Sequence, residues 1–168
     1  FDITSNIDAD IIALSYTNIH NGIPSSITLP DIYAYNKQDI RSLIDTYINT
    51  ATFKCIWGKF FKRSIIGNLR FDTKIKLGED NLFMFNCILR ANTIYLSSLV
   101  GYHYITNSIT SHKKYEQPVD ASVYTLQNIY DVYKKFDIDN IKFEYDLFWS
   151  MKGVCEQDIK NNPDIWFC

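Results

Sequence analysis

No apolar run in this 168-residue chain approaches the roughly 18 residues that a membrane-spanning helix needs. The amino terminus, FDITSNIDAD, lacks a basic start, an apolar stretch and a small-residue cleavage site, so it does not read as a secretory signal. It also begins without Met, as expected of a piece of something longer. The four cysteines, Cys55, Cys87, Cys155 and Cys168, form no C-x-x-C pair and are too scattered for a zinc ribbon or a disulfide framework. They are expected to be buried free thiols in a reducing compartment. Excess charge of one sign is lacking as well. Lys and Arg number 17 against 19 Asp and Glu, a net charge of −2. That balance argues against a nucleic-acid binder and against a polybasic membrane anchor.

What is present fits an ordinary globular chain. Hydrophobic residues make up 46% and charged residues 21%, which excludes disorder over most of the length. The length corresponds to one domain or part of one. The aromatic share is 15%, enough both to fill a core and to line a site for a flat or sugar-like ligand.

Residues 9–17, ADIIALSYT, read as a strand with Ile12, Leu14 and Tyr16 on one face. Asn21-Gly22-Ile23-Pro24 reads as a turn. The spacing of Ile40, Leu43, Ile44, Tyr47 and Ile48 predicts a helix over 36–50 with Asn36 as its N-cap. Residues 52–66 read as one or two short helical turns, and 69–77 alternate weakly. A helix is predicted from Glu79 or Asp80 to about Ala91, apolar almost all round and so buried on several sides. Residues 93–96 and 99–104 read as two extended segments, followed by a polar loop over 106–111. From Pro118 the pattern is helical again, with Val119, Val123, Leu126, Tyr130 and Tyr133 on one stripe and Ile129 and Phe136 beside it. A last helix is expected over 141–155. The order suggests the closing part of an α/β domain with a helical tail.

Gly78-Glu79-Asp80 is the sharpest local feature. Gly permits the tight turn, and two carboxylates follow at a helix start, where the backbone dipole favours negative charge. Asp80 could accept a proton from a bound hydroxyl; a carboxylate in a helix's first turn is also ordinary capping chemistry. Trp57-Gly58-Lys59 sets an aromatic plate two residues from a cation, suited to a sugar and a phosphate, or else to a core Trp and a solvated Lys. His103, between Tyr102 and Tyr104, would face the opposite side of a strand from both. Asp8-Ala9-Asp10 and Asp137-Ile138-Asp139 match the D-x-D spacing of a metal chelator. Roughly one such match is expected by chance, so neither is assigned to a metal.

Taken in order, Trp57-Gly58-Lys59-Phe60-Phe61-Lys62-Arg63, Leu69-Arg70-Phe71-Asp72, Gly78-Glu79-Asp80-Asn81-Leu82-Phe83, Tyr102-His103-Tyr104 and Ser108-Ile109-Thr110 resemble the C-terminal half of bacterial family 2 glycosyltransferases. In that family the run is W-N-K-L-Y-K-R, an R-F segment, G-E-D-x-x-F, a Y-H-Y-R strand and an S-I-T loop. Residues 7–16 also resemble the family's strand after its metal-binding motif. The likeness covers about residues 7–115. It departs at Gly58, where Asn is usual, and at Ile105, where Arg is usual.

The resemblance implies the C-terminal portion of a GT-A, Rossmann-like α/β domain. Residues 1–115 would form its acceptor side, with 116–168 a helical tail packed on it. It implies transfer of a sugar from a nucleotide-sugar donor to a glycan or polysaccharide acceptor. Asp80 would be the general base of an inverting reaction, and Glu79 would orient the acceptor or the base. Trp57 and Lys59 would border the acceptor and phosphate region. His103 would approach the metal–diphosphate end, and Ser108 to Ser111 would lie in a loop over the site. A magnesium or manganese ion is implied in the full-length enzyme, held mainly by residues outside this chain. The chain alone is therefore expected to be inactive, because a leaving diphosphate needs a metal or cationic clamp. The setting implied is the cytoplasm, including peripheral association at the inner face of the membrane. The residues alone also fit a non-catalytic module that binds carbohydrate or protein through its aromatic surface and helical tail.

Overall fold

The computed structural model describes residues 7–48, 50–75, 78–106, 119–137 and 144. The fold is mixed α/β, built on a five-stranded sheet in the order β2 (Ile23–Ile27), β1 (Ile11–His20), β5 (Ile94–Thr106), β3 (Ile32–Ala34), with β4 (Lys59–Phe61) also paired to β1. Strand β1 (Ile11–His20) is the centre. It begins two residues later than the 9–17 expected and runs three residues further. Strand β5 (Ile94–Thr106) pairs with it in parallel along its whole length. Burial extends to both faces, as is usual for parallel pairs. Ile11 and Ala13 enter the main core, while Ile12 and Leu14 join Ala9 in a smaller cluster on the other face.

The turn predicted over 21–24 is only two residues long. Asn21 (φ 50°) and Gly22 (φ 81°) both take the left-handed conformation that a tight hairpin uses. Ile23 and Pro24 already belong to β2 (Ile23–Ile27), antiparallel to β1. Pro24 is tolerated because β2 is an edge strand. Strand β3 (Ile32–Ala34) pairs antiparallel with the start of β5. Helix α1 (Lys37–Tyr47) starts at the cap expected, Asn36, whose side chain accepts the Asp39 N–H at 3.0 Å. It buries Ile40, Leu43 and Ile44. It ends short of residue 50, because Thr50 caps a new turn, α2 (Ala51–Lys54).

The one or two short helical turns expected within 52–66 are the end of α2 and α3 (Arg63–Ile66), and between them lies a strand that was not expected, β4 (Lys59–Phe61), antiparallel to Ile11–Ala13. Residues 69–75 form no strand. Helix α4 (Glu79–Arg90) buries Met84, Phe85, Cys87 and Ile88, with Phe83 and Leu89 packed partly against the core.

The two extended segments expected near 93–104 are one strand interrupted by bulges. Leu14 pairs with Ser97, Ser15 with Val100 and Tyr16 with Tyr102, so Ser98, Leu99 and Gly101 fall out of register. Ser15 Oγ donates to the Ser97 carbonyl at 2.9 Å and accepts the Leu29 N–H at 2.8 Å. Asp31 accepts the Ser98 N–H, the Ser98 hydroxyl and the Tyr95 hydroxyl. Helix α5 (Val119–Lys135) contributes Ile129 and Tyr133 to the core, with Phe136 just beyond it. Tyr133 meets the edge of Phe85 at 5.9 Å. The apolar stripe expected from Val119 onward is not all used, since Val123 is exposed. Ser108, Ser111, the rest of the polar loop after Thr106 and, apart from Glu144, the helix expected over 141–155 lie outside the described residues. Among the described residues, no helix is long and apolar enough to cross a membrane.

Candidate functional site

Lys59 pairs in register with Ala13, whose side chain faces the helices, so the lysine stem enters the helix layer while Phe60 faces the opposite, exposed side. Its Nζ donates to the carbonyl of Trp57 at 3.1 Å and to that of Ala51, the first residue of α2, at 3.4 Å. It lies 5.6 Å from the Trp57 ring centroid, within cation–π range. Gly58 makes this approach possible. Its φ of 67° is left-handed, its carbonyl accepts the Leu14 N–H at 2.9 Å, and a Cβ there would stand 3.3 Å from Tyr102 Cβ.

The Trp57 indole is not an open plate. It stacks on Tyr102 (4.7 Å, 15°) and Tyr104 (5.2 Å, 10°), and Tyr16 meets it edge-on at 4.9 Å. The β1–β5 register sets Tyr16 opposite Tyr102 and so builds this cluster. Strand alternation turns His103, opposite Thr17, to the other face and leaves it exposed, apart from the Trp57 cluster.

Glu79 and Asp80 form the first turn of α4, both half-buried. The N-cap is Gly78 (φ 91°), which has no side chain to cap with. Helices α2 and α4 pack together, and the Asp80 charge reaches Lys59 and Cys55. Burial pushes the Lys59 amine down to about 8, with Cys55 and Asp80 opposing that fall. Burial also pushes the Cys55 thiol up; Lys59 counters it and Asp80 adds to it. Tyr16 is raised by burial and by the neighbouring Cys55. Two buried oxygens in these helices, Thr52 Oγ1 and Asn81 Oδ1, have no hydrogen-bond partner among the described residues.

The chain matches no family model and no curated protein sequence.

Lys59 lies against Trp57, the Asp80 charge reaches Lys59 and Cys55, Glu79 is beside Asp80, and His103 stands apart from the Trp57 cluster. Cys55, Tyr16, Tyr102 and Tyr104 also belong to this group, although no sequence motif joins them to it. The alternating Tyr102-His103-Tyr104 was the available signal for the stacking pair. Asp8 and Asp10 are both engaged by Lys62, with Asp10 Oδ1 3.3 Å from its Nζ. Among the described residues no three His, Cys, Asp or Glu side chains gather to hold a metal ion. Of the two cysteines among the described residues, both free thiols, Cys87 is buried as expected and Cys55 only partly so; Cys155 and Cys168 lie outside the described residues.

Proposed function

We propose that this chain is the acceptor-side portion of an inverting, GT-A, family 2-like glycosyltransferase, with Asp80 as its general base. Asp80 would take the proton of an acceptor hydroxyl as that oxygen bonds to the anomeric carbon. The bond from that carbon to the nucleoside diphosphate breaks in the same step, and the diphosphate leaves with the electron pair. Glu79, one residue away on the same helix turn, would orient the acceptor.

The observation behind the reading is that α2, which precedes Trp57-Gly58-Lys59, packs on α4, whose first turn holds Glu79-Asp80, with the Asp80 charge acting on Lys59. Gly58 adds support. A backbone at φ 67° suits Gly, and Asn tolerates that region better than other residues, so the departure from the usual Asn follows local geometry. The roles of Trp57 and Lys59 change in this reading. Their ring faces and amine are turned to the protein's own tyrosines and carbonyls, so they build the floor of the site rather than grip a phosphate. The divalent cation that the resemblance implies would be held mainly by residues outside this chain, and no step of the transfer is routed through it.

The test is sugar transfer from a panel of nucleotide-sugars, with release of nucleoside diphosphate as the readout. The longest natural chain that carries this sequence is expected to turn over, and the 168-residue chain alone is not. Asp80→Asn in the longer chain should cut transfer by about 10²–10⁴-fold with glycan binding retained. Unchanged transfer removes Asp80 from the role.

A non-catalytic carbohydrate-binding module is the second reading. Tyr35 favours it, being 69% exposed and stacked at 4.3 Å on Tyr33, an aromatic face open to a sugar ring. Glycan binding without transfer in the longest chain would select this reading.

A further inference from the structure

A charged amine inside a protein is costly unless its surroundings hold it. What surrounds Lys59 therefore indicates what it does. Two of its three N–H bonds go to backbone carbonyls, Trp57 in the loop before β4 and Ala51 at the start of α2. The Ala51 carbonyl also receives the Cys55 N–H at 3.2 Å, so the ammonium joins the turn that closes α2. The indole above it carries Tyr102 and Tyr104 of β5. The amine thus links α2, the Trp57 loop and, through the ring stack, β5. The titratable and charged groups around it are Cys55 and Lys54 at the end of α2, Asp80 on α4, Tyr16 on β1, and Tyr102 and Tyr104 on β5.

We infer that Lys59 is the positioning residue of this site: its protonated amine fixes the Trp57 carbonyl against α2 and so sets the aromatic stack that Trp57 makes with Tyr102 and Tyr104, without touching substrate. This differs from the phosphate-bordering role that the resemblance implies. Its consequence for transfer rests on the reading of Asp80 given above; the positioning itself does not.

Hydrogen-bond donation to two carbonyls needs no net charge, but an ammonium donates far more strongly than an amine. Loss of the Lys59 proton therefore loosens the Trp57 carbonyl and moves the indole relative to Tyr102 and Tyr104. The experiment follows the Trp57 indole N–H by NMR in the full chain, with the signal assigned by Trp57→Phe. In the wild type it should shift with a midpoint near pH 8. In Lys59→Met it should be displaced already at neutral pH and not titrate. Lys59→Arg, which keeps the charge and the donors, should restore the wild-type neutral-pH position and show no transition near pH 8. Asp80→Asn removes a charge that holds the Lys59 proton, so the midpoint should fall. A wild-type signal that is flat between about pH 6.5 and 9.5, or the same transition in Lys59→Arg, overturns the inference. If Lys59→Met does not fold, the Arg and Asn variants decide alone. Sugar transfer is read separately, so an indole response without transfer removes the glycosyltransferase reading and leaves the positioning role standing.

Discussion

Gly101 stands where β5 passes Leu14 too closely for any side chain. An added Cβ would lie 2.1 Å from Leu14 Cδ1, 3.2 Å from Cγ and 3.3 Å from Cβ. The outer methyl can swing away, but Cγ and Cβ are tied to the β1 backbone and cannot. The same residue is one of those that β5 places out of register, and the next residue, Tyr102, is the first to stack on Trp57. Gly101→Ala is therefore expected to cost about 1–3 kcal/mol, as overpacking does. Urea unfolding measures it through the midpoint. Adding Leu14→Ala should recover much of that cost, so the double variant loses less than the two single losses added together. Strict additivity would show that the two sites do not press on each other.

At the scale of elements, caps and stripes decide what could be foreseen. Helix α1 was legible because Asn36 and the run Ile40, Leu43, Ile44 are local signals of a start and a buried face. Asn36→Ala is expected to lower stability by about 1 kcal/mol with an unchanged urea slope, whereas Asn36→Asp keeps the acceptor and should be close to neutral. A loss in Asp equal to that in Ala would mean that the cap bond contributes nothing. Helix α4 was legible for the same reason, its two acidic residues preceding a broad apolar surface. Strand β2 was not, because all five of its residues are exposed and so carry no alternation. The three residues of β4 are too few to show a period. The serines at 97 and 98 hid the continuity of β5, since the bonds that hold that bulge come from Ser15 and Asp31, far away in sequence. The candidate site divides in the same way. Glu79 and Asp80 could be recognised as a helix start, and the strand alternation of His103 was visible. The stacking of Tyr102 and Tyr104 on Trp57, and the reach of the Asp80 charge to Cys55, depend on how β1 meets β5 and α2 meets α4. Such contacts leave no local pattern.

The whole molecule is joined by charged side chains that reach across its elements. Lys37, in the first turn of α1, donates to the Leu89 and Ala91 carbonyls that end α4, at 2.9 and 2.6 Å. Arg90, in the last turn of α4, donates to the Ile65 and Ile66 carbonyls that end α3. Arg41 of α1 pairs with Asp137 just past α5 at 3.1 Å. Most of these are cations on helix C-termini, where orphan carbonyls and the helix dipole favour them. Asp10 is the anionic counterpart. Its Oδ2 accepts the N–H groups of Asn92 at 2.7 Å and Thr93 at 3.2 Å in the turn between α4 and β5, while Oδ1 faces Lys62 after β4. Burial works against this charge, but the Asn92 N–H, the Lys62 side chain and the Thr93 N–H outweigh it, so the carboxyl lies below its ordinary 3.8. A lowered carboxylate contributes stability that is fully present above the unfolded value and is lost as pH falls through the folded one. Asp10→Asn should therefore be less stable than the wild type at pH 7, and the gap should narrow as pH falls below about 4. Urea midpoints at neutral and acid pH compare the two. A gap as wide in acid as at neutrality would mean that the carboxylate charge is not what fastens β1 to the α4–β5 turn, leaving the Asp10 N–H bond to Thr93 Oγ1 at 2.9 Å and the Lys62 N–H bond to the Asp10 carbonyl at 2.9 Å to hold it.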